Sequence, residues 1–469
     1  MIFTEVRFFI FFLAVFVFYW LLKTNSKRKF FLLFASYFFY GVWDYRFLSL
    51  ILLSTVVDYF VGMRLVKTTG VRKRLWLLLS LSLNLGMLAL FKYANFFIES
   101  ANSLMLSIGW EDQLSTLAIV LPVGISFYTF QTLSYSIDIY RGKLKPSESL
   151  LDFSLFVAFF PQLVAGPIVR ASDFLNQLES KRSWQSVDIR WCLVLFLCGF
   201  FKKACISDNI STYVDGFYAS PELYNWISTV CGVVLYSIQI YCDFSGYSDM
   251  AIATAGLMGY RLRENFDFPY LAANVTEFWR RWHMSLSSWL RDYLYIPLGG
   301  NRNGEFNANR NLMITMLLGG LWHGASWNFV LWGALHGIAL IVHKFFSQST
   351  NKNNTGKINF IWGWAATFTF ISLTWVPFRA QNFSDTLSIY GQLTCLNSCG
   401  KLDIAEPLWT LWILVAALGC FHVLSSRSIT TRLWRDVPTI PFSIGYGMAW
   451  AISLSARSMA DVPFIYFQF

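Results

Sequence analysis

Charge is what this sequence has least of. Only 14% of its 469 residues are Asp, Glu, Lys or Arg, where a soluble chain of ordinary composition carries about a quarter. The deficit excludes a large soluble domain. Missing too are the signatures of common catalytic sites: no GxSxG elbow, HExxH pair, GxGxxG or Walker sequence occurs, so hydrolase, metalloprotease and nucleotide readings have no support. The eight cysteines contain no CxxC and six lie in apolar stretches, which argues against a metal or disulfide framework. Cys395 and Cys399 share one loop and would pair only if it faced an oxidising compartment. There is no repeat period and no low-complexity tract.

What is present is apolar. The chain is 55% hydrophobic and 19% aromatic, with a mean hydropathy of +0.47, the composition of an all-α polytopic membrane protein. Its net charge of +10 sits in short loops between apolar runs, which records membrane orientation and speaks against nucleic-acid binding. Apolar segments fall at about 6–22, 30–42, 47–66, 75–91, 116–139, 151–168, 190–201, 225–242, 247–259, 312–345, 358–378, 407–425 and 438–457. A crossing needs about 20 residues, so some segments are too short alone. About eleven crossings plus re-entrant pieces are expected, in a single membrane domain over 1–469 with its core at 116–345.

The first segment is followed by KTNSKRK, without a small-residue cleavage site, and so reads as an anchor. Lys23 to Lys29, Lys67 to Arg74, and Arg141 to Lys145 are basic, whereas Glu99, Glu111 and Asp112 lie between. The positive-inside rule then puts the N-terminus outside and the basic loops in the cytoplasm. Beyond residue 160, Pro161, Gly166 and Pro167 interrupt one apolar run, and CDFSGYSDMA at 242–251 sets Asp243 and Asp249 around a glycine. Broken backbone and carboxylates at membrane depth require cover by protein or water, so a central cavity is expected.

The most informative stretch runs from Asn274 to Asn328. Asn274 and Glu277 resemble a capping box, and Pro297, Gly299 and Gly300 close the far end, which predicts one helix over about 275–295. On it Phe278, Trp282, Leu286, Trp289 and Tyr293 form one stripe, and Arg280, His283, Ser287 and Arg291 another. Such a helix suits the headgroup level. Its arginines then either meet lipid phosphates or guide a phosphorylated acyl donor, and both readings stand. His323 lies among Gly319, Gly320, Gly324, Trp322 and Trp327. An imidazole there is either a general base for a hydroxyl or a bond between helices. His336, His343 and His422 read as structural. Buried carboxylates and broken helices also leave a transporter or flippase open.

Several long motifs carry a resemblance. FWRRWHMSLSSWLRDYLYIPLGGNR (278–302), MLLGGLWHGASWNFVLWGALHG (316–337), YCDFSGYSDMA (241–251), PVGISFYTFQTLSYSIDIYRG (122–142), FFPQLVAGPI (159–168) and FKYANFF (91–97) are similar to the bacterial membrane-bound O-acyltransferases, most of all the alginate O-acetyltransferase branch. The resemblance implies a funnel-shaped ring of helices, His323 as catalytic base and His283 as the second motif histidine. It also implies transfer of a short acyl group from a cytoplasmic thioester, here expected to be acetyl-CoA, to an extracytoplasmic polysaccharide or peptidoglycan. No cofactor is expected to stay bound. A periplasmic partner of the SGNH-esterase type usually completes the transfer. Arg280, Arg281, Arg291, Trp322 and Asn328 are the expected donor-binding residues. Trp322, Asn328 and the backbone at Gly319 and Gly320 are expected to stabilise the oxyanion. The terminal PFIYFQF (463–469) resembles a motif whose tyrosine, here Tyr466, carries the acyl group. The family's D-alanine exporters are the alternative branch.

Overall fold

The computed structural model describes residues 1–349, 357–394, 400, 412–413, 416, 419–420, 423–424, 434–459 and 462–465. Cys395, Cys399, His422 and Tyr466 lie outside them. The described residues form helices and no strand. They divide into two compact units, residues 1–189 with 254–263, and residues 190–253 with 264–469.

In the first unit the helices are α1 (Val6–Leu21), α2 (Asn25–Asp44), α3 (Leu48–Lys67), α4 (Gly70–Leu88), α5 (Ala94–Ser107), α6 (Ile125–Tyr140), α7 (Leu150–Ala158), α8 (Phe160–Leu163) and α9 (Ala171–Leu178). Arg28, counted from sequence among the loop charges, is buried instead. Its guanidinium donates to the carbonyls of Leu22 (2.9 Å) and Arg182 (2.7 Å), so it ties two loops together. A second buried charge, Asp58, accepts from Ser80, from Ser136 (2.8 Å) and from the Asn84 amide (2.7 Å). Those donors come from α4 and α6, and they replace the water that an isolated carboxylate on α3 would otherwise need.

The break expected around Pro161 is present. The helix is interrupted between α7 and α8 and again after Leu163, and residues 153–169 are all buried, which is the protein cover such backbone requires. Gly124 makes this packing possible. It has φ +77, and a side chain there would lie 2.6 Å from the Leu163 carbonyl.

In the second unit follow α10 (Ile189–Phe200), α11 (Asp208–Ala219), α12 (Trp226–Leu257), α13 (Val275–Arg281), α14 (Met284–Leu290), α15 (Glu305–His323), α16 (Trp327–Ser349), α17 (Lys357–Arg379), α18 (Phe383–Thr394) and α19 (Thr439–Ala456). Here the expected interruption at 242–251 is overturned: α12 runs unbroken for 32 residues. Gly246 serves close approach instead, because a Cβ on Gly199 would lie 2.6 Å from the Gly246 carbonyl. The two carboxylates are met by lysines from a π-helical turn, Phe201–Ser207, that extends α10. Lys202 pairs with Asp249, and Lys203 with both Asp243 and Asp208, each at 2.7 Å.

The apolar run expected at 312–345 is also divided. α15 ends at His323 and α16 starts at Trp327, and the two pack as a hairpin. Small residues set the distance: side chains on Gly320 and Gly333 would meet the carbonyls of Phe329 (2.2 Å) and Met316 (2.3 Å). Among the described residues four helical stretches are long and apolar enough to cross a membrane: Asn25–Lys67, Gly70–Ser107, Trp226–Leu257 and Trp327–Ser347.

Candidate active site

The stretch expected as one helix is three pieces. α13 begins as the sequence predicts, with Asn274 Oδ1 accepting from the Glu277 N–H (2.8 Å) and Glu277 reaching back to the Ala273 N–H (3.0 Å). It stops at Arg281. His283 follows at φ +42, in the left-handed region, and its carbonyl accepts from the Ser287 N–H (2.9 Å) to start α14. A π-helical turn, Arg291–Tyr295, completes the segment.

This reversal corrects the stripe assignment. His283 does not share a cationic face with Arg280 and Arg291, which are exposed; it is fully buried. Nor does the aromatic stripe meet lipid. Phe278, Trp282, Leu286, Trp289 and Tyr293 are all buried within protein, and Trp282 packs on Phe266 and Trp375 with ring centroids 5.0 Å from each.

Left-handed backbone at a residue with a Cβ costs about 1–2 kcal/mol and needs outside support. Asn265 supplies it. Its carbonyl accepts from the Met284 N–H (2.9 Å), and its Oδ1 accepts from Ser285 Oγ (2.8 Å), from the Ser285 N–H (3.3 Å) and from His283 Nδ1 (3.1 Å). An amide oxygen only accepts, so the His283 proton sits on Nδ1 and the lone pair on Nε2. Burial pushes the imidazole pKa down to about 3, which keeps the ring neutral.

His323 is brought to the same place from the other direction. It is the last residue of α15 and is 3% exposed. Its ring centroid lies 6.4 Å from that of His283, 5.0 Å from Trp322, 5.1 Å from Trp332 and 5.2 Å from Phe378. Phe244 stands edge-on to His283 at 4.7 Å. Two imidazoles thus face one aromatic enclosure, with the negative end of the α15 dipole at His323.

The other candidates separate by position. The Asn328 amide donates to the Ala380 carbonyl (3.1 Å) and so holds the end of α17. Arg281 pairs with Glu277 (2.8 Å) and Arg291 with Asp292 (2.7 Å), at the periphery. His336 links helices as expected, accepting from the Trp279 indole at Nδ1 (3.2 Å) and meeting Thr374 Oγ1 at Nε2 (3.1 Å). His343 meets Thr276 (2.9 Å). Sequence reasoning missed Asn265, Phe244, Trp332 and Phe378. Nothing in their spacing relative to the histidines marks them, because each arrives from a different helix or loop.

A family profile described as MBOAT, membrane-bound O-acyltransferase family, matches residues 77–378. A probable alginate O-acetylase of Pseudomonas putida is 39% identical over the full length of both chains. A peptidoglycan O-acetyltransferase of Helicobacter pylori is 39% identical, over 83% of this chain and 78% of its own. A teichoic acid D-alanyltransferase of Streptococcus thermophilus is 30% identical over 47% of this chain and 56% of its own.

Proposed function

Because this chain belongs to the membrane-bound O-acyltransferase family and is a multi-pass membrane O-acyltransferase, we propose that it moves acetyl groups from a cytoplasmic thioester, acetyl-CoA, across the inner membrane to O-acetylate an extracytoplasmic polysaccharide. Residues 1–469 act in this reading as one membrane domain of about eleven crossings with re-entrant pieces. The acceptor is an alginate-like exopolysaccharide or peptidoglycan, in line with the names of the relatives. A periplasmic SGNH-type partner takes the acetyl group onward.

The observation that carries the reading is the facing of His283 and His323 within one aromatic enclosure. His323 takes the proton of an acceptor hydroxyl, which is the phenol of Tyr466 in the relay form of the reaction. The oxygen bonds to the acyl carbon, the carbon–sulfur bond breaks, and the departing thiolate recovers the proton from the imidazolium. The helix dipole at the end of α15 favours that imidazolium. His283, with its lone pair on Nε2, orients the substrate opposite, and the Trp322 N–H is the candidate oxyanion donor. Arg280 meets the phosphates of the donor at the entry side.

General-base catalysis is worth about 10²–10⁴ in rate. Purified His323→Ala should therefore fold, bind thioester and lose transfer of radiolabelled acetyl by at least a hundredfold. Near-parental turnover would remove His323 as base. Thioester-independent ion flux through liposomes would favour a transporter.

A further inference from the structure

The second unit holds a buried charge cluster that the reaction above does not use. Lys203, Asp208 and Asp243 are all buried, and the one lysine faces both acidic side chains. Asp243 divides its two oxygens: Oδ1 faces Lys203 Nζ at 2.7 Å, and Oδ2 accepts from the backbone N–H of Ile465 at 2.7 Å. That bond joins positions 222 residues apart. The lysine fixes the carboxylate, and the carboxylate fixes the C-terminal chain.

Further contacts make the same docking. The Ser458 N–H donates to the Ala204 carbonyl (3.0 Å), and Asn209 Nδ2 donates to the Ala456 carbonyl (2.9 Å). Phe464 is fully buried, with its ring 4.8 Å from Tyr247 and 5.9 Å from Phe244. Phe244 is the ring that stands edge-on to His283. One aromatic side chain therefore touches both the docked tail and the buried imidazole.

We infer that Asp243, braced by Lys203, is a positioning residue that grips the main chain at Ile465 and thereby seats Phe464 against Phe244, the ring that stands edge-on to His283. The inference rests on the acetyl-transfer reading for its consequence, but the grip itself is a physical property that can be measured apart from activity.

Among the described residues, Ile465→Pro removes the one backbone N–H that Asp243 accepts and leaves the side chains of the buried cluster unchanged, while Ile465→Val retains it. Full-length proteins in detergent are digested with carboxypeptidase Y, which also releases proline, and weighed intact, and acetyl transfer is followed in parallel. Position 465 should be retained in the parent and in Ile465→Val, and lost from Ile465→Pro. Its turnover should fall at least tenfold with the thioester KM within twofold. Phe464→Ala, which alters no charge, should behave as Ile465→Pro does. Equal trimming of parent and Ile465→Pro overturns the grip. Extended trimming of Ile465→Pro with unchanged turnover overturns the positioning role. A parent that protects its tail but transfers no acetyl refutes the functional reading and leaves the grip standing.

Discussion

Asn265→Ala tests whether the enclosure around His283 and His323 depends on the side chain that braces His283. The side-chain oxygen of Asn265 receives three donors, Ser285 Oγ, the Ser285 N–H and His283 Nδ1, and its Nδ2 donates to Ser248 Oγ (3.3 Å). Alanine abolishes all four contacts inside a buried region. A buried donor left unmade costs about 1–3 kcal/mol. Ser285 Oγ rotates to another acceptor, so the Ser285 N–H and the His283 Nδ1–H carry most of the loss, about 2–4 kcal/mol after partial relaxation. The left-handed turn at His283 keeps only the backbone bond from the Met284 N–H to the carbonyl of residue 265 and loses its side-chain brace, so the ring no longer has the acceptor that fixes its tautomer. Turnover should fall about 10- to 100-fold, the range seen when groups supporting a functional histidine are removed. Chemical denaturation in micelles measures the first quantity, and transfer of labelled acetyl the second. A variant that loses stability but keeps parental turnover would refute the argument that Asn265 sets the His283 orientation.

Two further outcomes follow from the same geometry. The pKa of His283 is lowered to about 3 in the folded protein, so between that value and its ordinary value the unfolded chain binds a proton that the folded chain refuses. Stability from this group is full above pH about 6.5 and declines as pH falls, by at most about 1.4 kcal/mol per unit. The loss should be smaller in a His283→Gln variant, and an identical decline would exclude His283 as its source. Gly199→Ala places a Cβ 2.6 Å from the Gly246 carbonyl and 3.0 Å from the Met250 nitrogen, so α10 must shift against α12. A loss of about 1–3 kcal/mol is expected. Gly86→Ala, with nothing within 4 Å, should be neutral or slightly stabilising; equal effects would discount the glycine contact.

The sequence made the class and the two histidines legible for different reasons. Low charge and long apolar runs report on solvent, so membrane character is visible in composition alone. His323 stood out because an ionisable group among glycines and tryptophans has few explanations. The capping box at Asn274 was legible because its partners are three residues apart. The break at Pro161 was legible because proline lacks the N–H that a helix needs. Local rules identified local features.

The failures share a cause in the other direction. Periodicity assigned His283 to an outward face, since a 100° step assumes that the helix continues, and a single left-handed residue resets the phase of everything beyond it. What allows that residue is Asn265, 18 positions away in a loop with no pattern of its own. The glycine at 246 was read as a break because a helix interior disfavours it. Its use is set by Gly199, whose carbonyl occupies the place of a side chain. Asp243 and Asp249 were read as needing cover by protein or water, and the cover is two lysines on one π-helical turn. In each case a long-range partner decided between two locally acceptable conformations. The aromatic stripe follows the same rule. Amphipathic spacing shows that one face is sheltered, and only the neighbours Phe266 and Trp375 determine that the shelter is protein rather than lipid.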